Sequence, residues 1–335
     1  GRIDAEGSQV GMPLEELVFT FGPDGQAFCY YTNNSSGYIK SPSGNALWAQ
    51  YYNPDRGSAS AMICNDVGEL FLSYYYLGQV SIIRYTKPGV SIPVTNIPAA
   101  TCNDTTFARS EDGNLLFAYS VSTTLYILSQ VSSNTFMSNY YNNYGQEIFN
   151  LHLMSRRNNN DVLACFQRDA SGSQTLLRTT QTGNDPTLID DGEYSGVPAQ
   201  GALYYPVNDT VYTACIFGDI LRQRQIWAGA APGAFWSETP SISTNLSNVQ
   251  IQMAQDRNTG TMYLGYKHLS GVQNGYVTIL RYDDGWRHFA GPSPERLSGP
   301  FRIAVNPKDQ NVWLVGMLYN TNSLNYELRS WRYVE

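Results

Sequence analysis

Residues able to do chemistry are sparse in this chain of 335 residues. There are three histidines, His152, His268 and His288, and none shares a short motif with carboxylates or cysteines. A histidine-based metal site is therefore not expected. His152 sits in FNLHLMS, an apolar alternation, where a neutral imidazole is either a satisfied core residue or a hydrogen-bond donor and general acid. His288, in GWRHFAG, reads as a surface or packing residue, and His268 follows Lys267 at a strand end as a solvated charge or a ligand contact. Acids cluster at Asp190-Asp191, Glu193 and Asp283-Asp284. Two acids facing each other across a substrate suit glycoside hydrolysis. These, however, occupy turn sequences that favour acids for backbone reasons alone.

No Gly-rich phosphate loop, GxSxG elbow or CxxC pair occurs. Cys29, Cys165 and Cys215 lie in apolar strand patterns and read as buried thiols. Cys64 and Cys102 precede polar turns in adjacent segments, where either two free thiols or one disulfide would fit.

Composition narrows the classes further. Charged residues are 15% and hydrophobic residues 42%, with 25 tyrosines, which suits strands with uncharged polar outer faces. The net charge is −7, and no basic stripe is present, which disfavours a nucleic-acid partner. An acidic chain gains nothing from anionic lipid, and no apolar run is long enough for a membrane helix. Acceptor sequons at Asn34, Asn103, Asn208 and Asn245 fall in loop-like sequence and raise the expectation of glycosylation in a secretory or extracellular protein.

Positioning these residues requires a repeated element. Turns anchored at Gly25, Gly68, Gly113, Asp161, Asp209, Gly260 and Asp309 recur at spacings of 43, 45, 48, 48, 51 and 49. Around each turn the sequence reads strand, turn, alternating strand, loop, third strand, turn and fourth strand, with Trp48, Trp236 and Trp286 in fourth positions. Four strands per copy at this period form a blade that cannot bury both faces alone. The expectation is one all-β domain over 1–335, a seven-bladed β-propeller of four-stranded antiparallel blades near 14–53, 57–96, 101–143, 147–194, 198–241, 247–291 and 299–335. The last copy supplies three strands, so residues 1–12 are expected to complete it and pair the two termini.

In such a ring the entries to first strands and the ends of second strands gather at one channel mouth. That places His152, Gln252 and Arg302 at first strands, and Tyr75, Tyr119, Phe217, Tyr266, Lys267, His268 and Tyr319 at second-strand ends. The copies agree in apolar skeleton and differ in polar residues. A single axial site for one small apolar or aromatic ligand follows, with glycans as a further expected partner.

At blade level the chain resembles sialidase-type propellers. SEDGNLLF at Ser110–Phe117 has the Ser, Asp and Gly of their turn at altered spacing and without its Trp. It also resembles fungal fucose-lectin propellers, whose sites repeat at every junction. Here no second strand carries their Arg, and only Glu327 matches their third-strand Glu, which speaks against a multivalent lectin. In size, sequons and aromatic content it is similar to fungal hetero-Diels–Alderases of tropolone–sesquiterpene biosynthesis. That resemblance implies dehydration of a hydroxymethyl tropolone to a quinone methide, then [4+2] addition to a terpene, with no cofactor. It implies His152, Lys267 or Tyr266 as proton donor, Arg302 or Gln252 on the tropolone oxygens, and Tyr and Phe walls. A glycan-binding propeller and a glycosidase or polysaccharide lyase are the alternatives.

Overall fold

The structure is a computed structural model. It describes residues 16–33, 36–40, 47–52, 60–99, 101–157, 161–168, 173–182, 186–192, 201–217, 220–234, 237–243, 249–256, 258–283, 285–322 and 325–334. The described elements are all strands, in seven antiparallel sheets. Blade 1 comprises β1 (Glu16–Phe21), β2 (Ala27–Asn33), β3 (Ser36–Lys40) and β4 (Leu47–Tyr52). Blade 2 comprises β5 (Ala61–Cys64), β6 (Leu70–Tyr76), β7 (Gln79–Lys87) and β8 (Val90–Pro98). Blade 3 comprises β9 (Asp104–Arg109), β10 (Leu115–Val121), β11 (Thr124–Ser132) and β12 (Thr135–Asn143). Blade 4 comprises β13 (Ile148–Ser155), β14 (Asp161–Arg168), β15 (Ser173–Thr180) and β16 (Thr187–Gly192). Blade 5 comprises β17 (Ala202–Tyr205), β18 (Thr210–Phe217), β19 (Ile220–Trp227) and β20 (Ser237–Ser243). Blade 6 comprises β21 (Val249–Gln255), β22 (Met262–His268), β23 (Val277–Tyr282) and β24 (Trp286–Ala290). Blade 7 comprises β25 (Phe301–Val305), β26 (Val312–Asn320) and β27 (Asn325–Tyr333).

First strands contact one another in cyclic order, and β1 meets β25, so the ring closes. The fold is therefore a seven-bladed β-propeller. The expected pairing of residues 1–12 with blade 7 lies outside the described residues.

The core is divided among the seven junctions between blades. Successive residues of a second strand point to opposite faces. In β2, Phe28 and Tyr30 pack with Met62, Leu70 and Leu72 of blade 2. Their neighbours Cys29 and Tyr31 pack instead with Val315, Met317 and Leu328 of blade 7. The same division recurs at every junction. Each fully buried Leu, Ile or Phe contributes about 1.5–3 kcal/mol, so a blade deprived of either neighbour loses the burial of one of its two apolar faces.

Cys64 and Cys102 are both free, which removes the disulfide option. Cys64 ends first strand β5, whereas Cys102 precedes first strand β9, so the two occupy opposite ends of the channel. Both thiols are pushed up to about 12 by burial and are unreactive at neutral pH.

Close packing at the junctions is testable at Gly316 in β26. A Cβ there would fall inside van der Waals contact of Leu297 Cδ1 and stand 3.0 Å from its Cδ2. Leu297 is itself buried in the blade 6–7 core. Gly316→Ala is expected to cost about 1–3 kcal/mol in urea unfolding, and a second change, Leu297→Ala, should recover part of it. An unchanged midpoint in the single variant would show that this junction has slack.

Candidate active site at one end of the channel

The first strands set the polar groups of the channel by alternation. In β1, Leu17, Phe19 and Phe21 are buried in the junction core, while Glu16, Val18 and Thr20 are only half-buried. In β25, Phe301 and Ile303 are buried and Arg302 between them is half-buried. Glu16 is the first residue of β1, Asp104 the first of β9, and Ser60 directly precedes β5. Acids, hydroxyl and guanidinium from four blades thus meet at the same end of the ring. Each keeps some surface on the channel, with protein enclosing it on the other sides.

Glu16 Oε1 accepts the Ser60 amide at 2.7 Å. Burial pushes the Glu16 carboxyl up to about 7; the Ser60 hydroxyl and amide and the charge of Arg302 pull it down, and Asp104 raises it. Asp104 is pushed up to about 6 by burial, against the pull of backbone bonds from Leu151 and Thr105 and of Arg302. Burial lowers the pKa of Arg302, and Glu16 and Asp104 oppose that shift. Its Nη1 donates to its neighbour's carbonyl, Phe301 O, at 3.0 Å, and the two acids act on it through space. At neutral pH Asp104 is mostly ionised and Glu16 is shared between its two forms. One acid and one base then stand beside a fixed cation, the separation of roles that acid–base catalysis needs.

A bulge in β13 completes the site. The β13–β14 ladder breaks between Phe149 and His152. Asn150 there adopts φ 50°, and its side-chain amide donates to Gln167 Oε1 at 2.9 Å. The extra residue releases the Leu151 amide from the ladder, and it donates to Asp104 Oδ2 at 2.7 Å. The ladder resumes with His152 opposite Cys165. Bulges commonly re-aim side chains in this way. His152 Nε2 is buried and, among the described residues, has no hydrogen-bond partner. Burial lowers its pKa to about 4, so the ring is neutral at physiological pH.

Two cavities open toward the opposite end. One, of ≈ 570 Å³, includes Phe19, Thr20, Phe21, Met62, Met253 and Ile303 in its wall. The other, of ≈ 390 Å³, includes Phe107, Leu153, Met154 and Leu203. They share Ile63, Arg109 and Gln255. Their wall residues Leu153, Met253 and Ile303 are the chain neighbours of His152, Gln252 and Arg302, so the cavities end where the polar layer begins. Arg109 between them is held by Asp66 and by Cys64 O.

Among the sequence candidates, the structure gathers Arg302, His152 and Gln252 on first strands. The second-strand candidates sit elsewhere. Lys267 is buried in the blade 6–7 junction, its Nζ donating to Gly299 O and lying 5.9 Å from the centre of the Phe301 ring. Burial lowers its pKa to about 8. Tyr266 packs against the blade 5–6 core, edge-on to His268 at 5.5 Å. Tyr119 is buried between blades 2 and 3, stacked on Tyr126 at 4.7 Å, and Tyr75 packs against the same core. Tyr319 is exposed beside Tyr326, and the Phe217 side chain lies outside the described residues.

Of the turn acids, Asp283 accepts Arg281 Nε at 3.1 Å. Glu193, Asp284 and the side chains of Asp190 and Asp191 fall outside the described residues. Among the described residues no group of three His, Cys, Asp or Glu could hold a metal ion. Of the sequons, Asn103 donates its amide to Ser122 O and Ile148 O at 3.2 and 3.3 Å, and Asn208 donates to Tyr212 Oη at 2.5 Å. Asn34 and Asn245 are outside the described residues. Glu16 and Asp104 were not among the sequence candidates. Their one shared signal is an acid at the entry to a first strand, in EELVFT and NDTTFA.

No protein-family model matches the chain, and no curated protein matches its sequence. Solved structures do match. Hydrazine synthase of Kuenenia stuttgartiensis superposes with a TM-score of 0.62 at 14% identity, over 96% of this chain and 97% of that one. Oligogalacturonate lyase from Vibrio parahaemolyticus gives 0.61 at 10% identity, over 100% and 93%. A prolyl endopeptidase gives 0.55 at 12% identity, over 96% of this chain and 50% of that one. At these identities the likeness is one of fold.

Two outcomes test the site geometry. Asn150→Gly should keep the left-handed backbone, and with it the hydrogen-exchange protection of the Leu151 amide. Asn150→Val should lose that protection and cost about 1–2 kcal/mol more than the glycine variant; equal protection in both would mean the bulge does not depend on φ at 150. The second outcome concerns pH. The Glu16 carboxyl is raised from 4.5 to about 7, so its contribution to stability is complete below pH 4.5 and is lost as pH rises through 7. Glu16→Gln should therefore gain up to about 3 kcal/mol over the parent at pH 8 and nothing at pH 4. His152 acts in the reverse sense, its contribution being lost as pH falls from 6.5 through 4. A pH-independent effect of Glu16→Gln would mean that Glu16 titrates normally.

Proposed function

We propose that the protein is a single-site, cofactor-independent enzyme. It breaks a carbon–oxygen bond by acid–base catalysis, in a small molecule with an apolar body and an oxygenated head. The observation that carries this reading is the meeting of Glu16, Asp104 and the enclosed Arg302 at one end of the channel, with two cavities of mixed polar and apolar lining toward the other. Glu16 in its acid form gives a proton to the departing hydroxyl, which leaves as water. Asp104 takes a proton from the substrate, and the electron pair left behind forms the new double bond. Arg302 holds the oxygen on which negative charge gathers.

The narrower reading is a hetero-Diels–Alderase. A hydroxymethyl tropolone would lose its ring hydroxyl proton to Asp104 and its side-chain hydroxyl as water protonated by Glu16, leaving a quinone methide. The [4+2] addition to a terpene then needs no further reagent. Two cavities sharing three wall residues support a reaction of two molecules held side by side, and aligning them can lower the barrier by about 7–11 kcal/mol at best. A second reading, glycoside hydrolysis, is favoured by the pairing of two acids with raised pKa.

Incubation with a hydroxymethyl tropolone and humulene, read by mass spectrometry, is the direct test. The expected product has the summed mass less one water, forms faster than in buffer, and is reduced about 10²-fold or more by Glu16→Gln. Sugar release from aryl glycosides, lost in the same variant, would favour the second reading. If neither product forms and the chain instead titrates several sugars at once, the single-site proposal fails.

A further inference from the structure

A third cavity lies away from the channel, in the cleft between blades 4 and 5. It measures ≈ 400 Å³, and Arg156, Asp161, Arg178, Thr180, Trp227 and Gly229 contribute to its wall. Trp227 ends β19 and is 57% exposed, yet its indole is fixed. Its side chain hydrogen-bonds to Asp209. Asp209 in turn accepts Arg156 Nε at 2.8 Å, Arg156 Nη2 at 2.6 Å and the Tyr204 hydroxyl at 2.8 Å. Arg156 Nη1 also bonds Asp161 at 3.0 Å. Gly229 lets the ring settle close to the backbone: a Cβ there would stand 2.6 Å from the indole and 2.9 Å from Arg156 Nη2.

A large aromatic ring is ordinarily buried, and holding one in place costs side-chain entropy. A ring that is both immobilised and exposed over a polar cavity is preorganised for a ligand. We propose that this cleft binds a neutral pyranose, stacked by its C–H face on Trp227, with its hydroxyls bonded to Arg178 and the neighbouring polar groups. The ligand class follows from the lining. The indole offers an apolar platform, and the wall offers two guanidinium groups, threonine hydroxyls and the Asp161 carboxylate, which match sugar hydroxyls. A nucleotide would place phosphate against Asp161, in a chain of net charge −7. Among the described third strands, β19 alone ends in tryptophan. The corresponding strand ends elsewhere are Lys40, Lys87, Ser132, Thr180, Tyr282 and Tyr333, and both tyrosines pack against junction cores.

Titration of the whole chain with methyl glucoside, methyl galactoside and methyl mannoside, followed by saturation-transfer NMR, tests the assignment. At least one glycoside is expected to saturate one site per chain, with AMP giving no transfer. Trp227→Ala, at a solvent-exposed position, should weaken binding at least tenfold while leaving the far-ultraviolet dichroism unchanged. Gly229→Ala should weaken it as well by displacing the ring. Glu16→Gln should leave the titration intact, which separates this cleft from the channel site. The assignment is overturned if none of the glycosides saturates, or if Trp227→Ala binds as the parent does.

Discussion

Every blade must cover two apolar faces, and this constraint organises the rest of the molecule. Second strands such as β2 send alternate side chains into two different junctions, so no sheet can be buried by one neighbour alone. The only arrangement that satisfies all seven is a closed ring. Closure then fixes what happens at the axis. First strands pack side by side with their entries at one end, and whatever polar residues they carry there are brought together in an enclosed space.

Electrostatics at that end follows from the enclosure. Glu16, Asp104 and Arg302 would each be unremarkable on an open surface. Within the channel, burial raises both acids and disfavours the cation, and each acid restores part of the charge of Arg302. The two acids are raised by similar amounts but have different partners. Asp104 is held by two backbone amides, one of them freed by the bulge at Asn150, whereas Glu16 is held by Ser60.

The ring was legible in the sequence because turn residues and apolar alternation recur with nearly constant spacing. Arg302, His152 and Gln252 were legible as channel residues because they lie between apolar neighbours on first strands. Glu16 and Asp104 were not, since an acid before a strand looks like solvated loop, and Asp104 also sits inside a sequon. The bulge at Asn150 was unreadable for a different reason: it is completed by a carboxylate from another blade. Tyr75, Tyr119, Tyr266 and Lys267 appeared to face the mouth, but second strands stand one layer back, and their side chains enter the junctions.

The separation between junction cores and channel positions has a further consequence. Glu16 and Asp104 tie neighbouring blades together through the amides of Ser60 and Leu151, whereas Gln252 and Arg302 lie between residues that fill the junction cores. Exchange of Gln252 or Arg302 for another polar group would alter what the hub recognises without loosening Ile251 or Ile303 in the neighbouring cores. A scaffold of this kind can acquire new ligand preferences in single steps, with its mechanical integrity guaranteed by residues one position away.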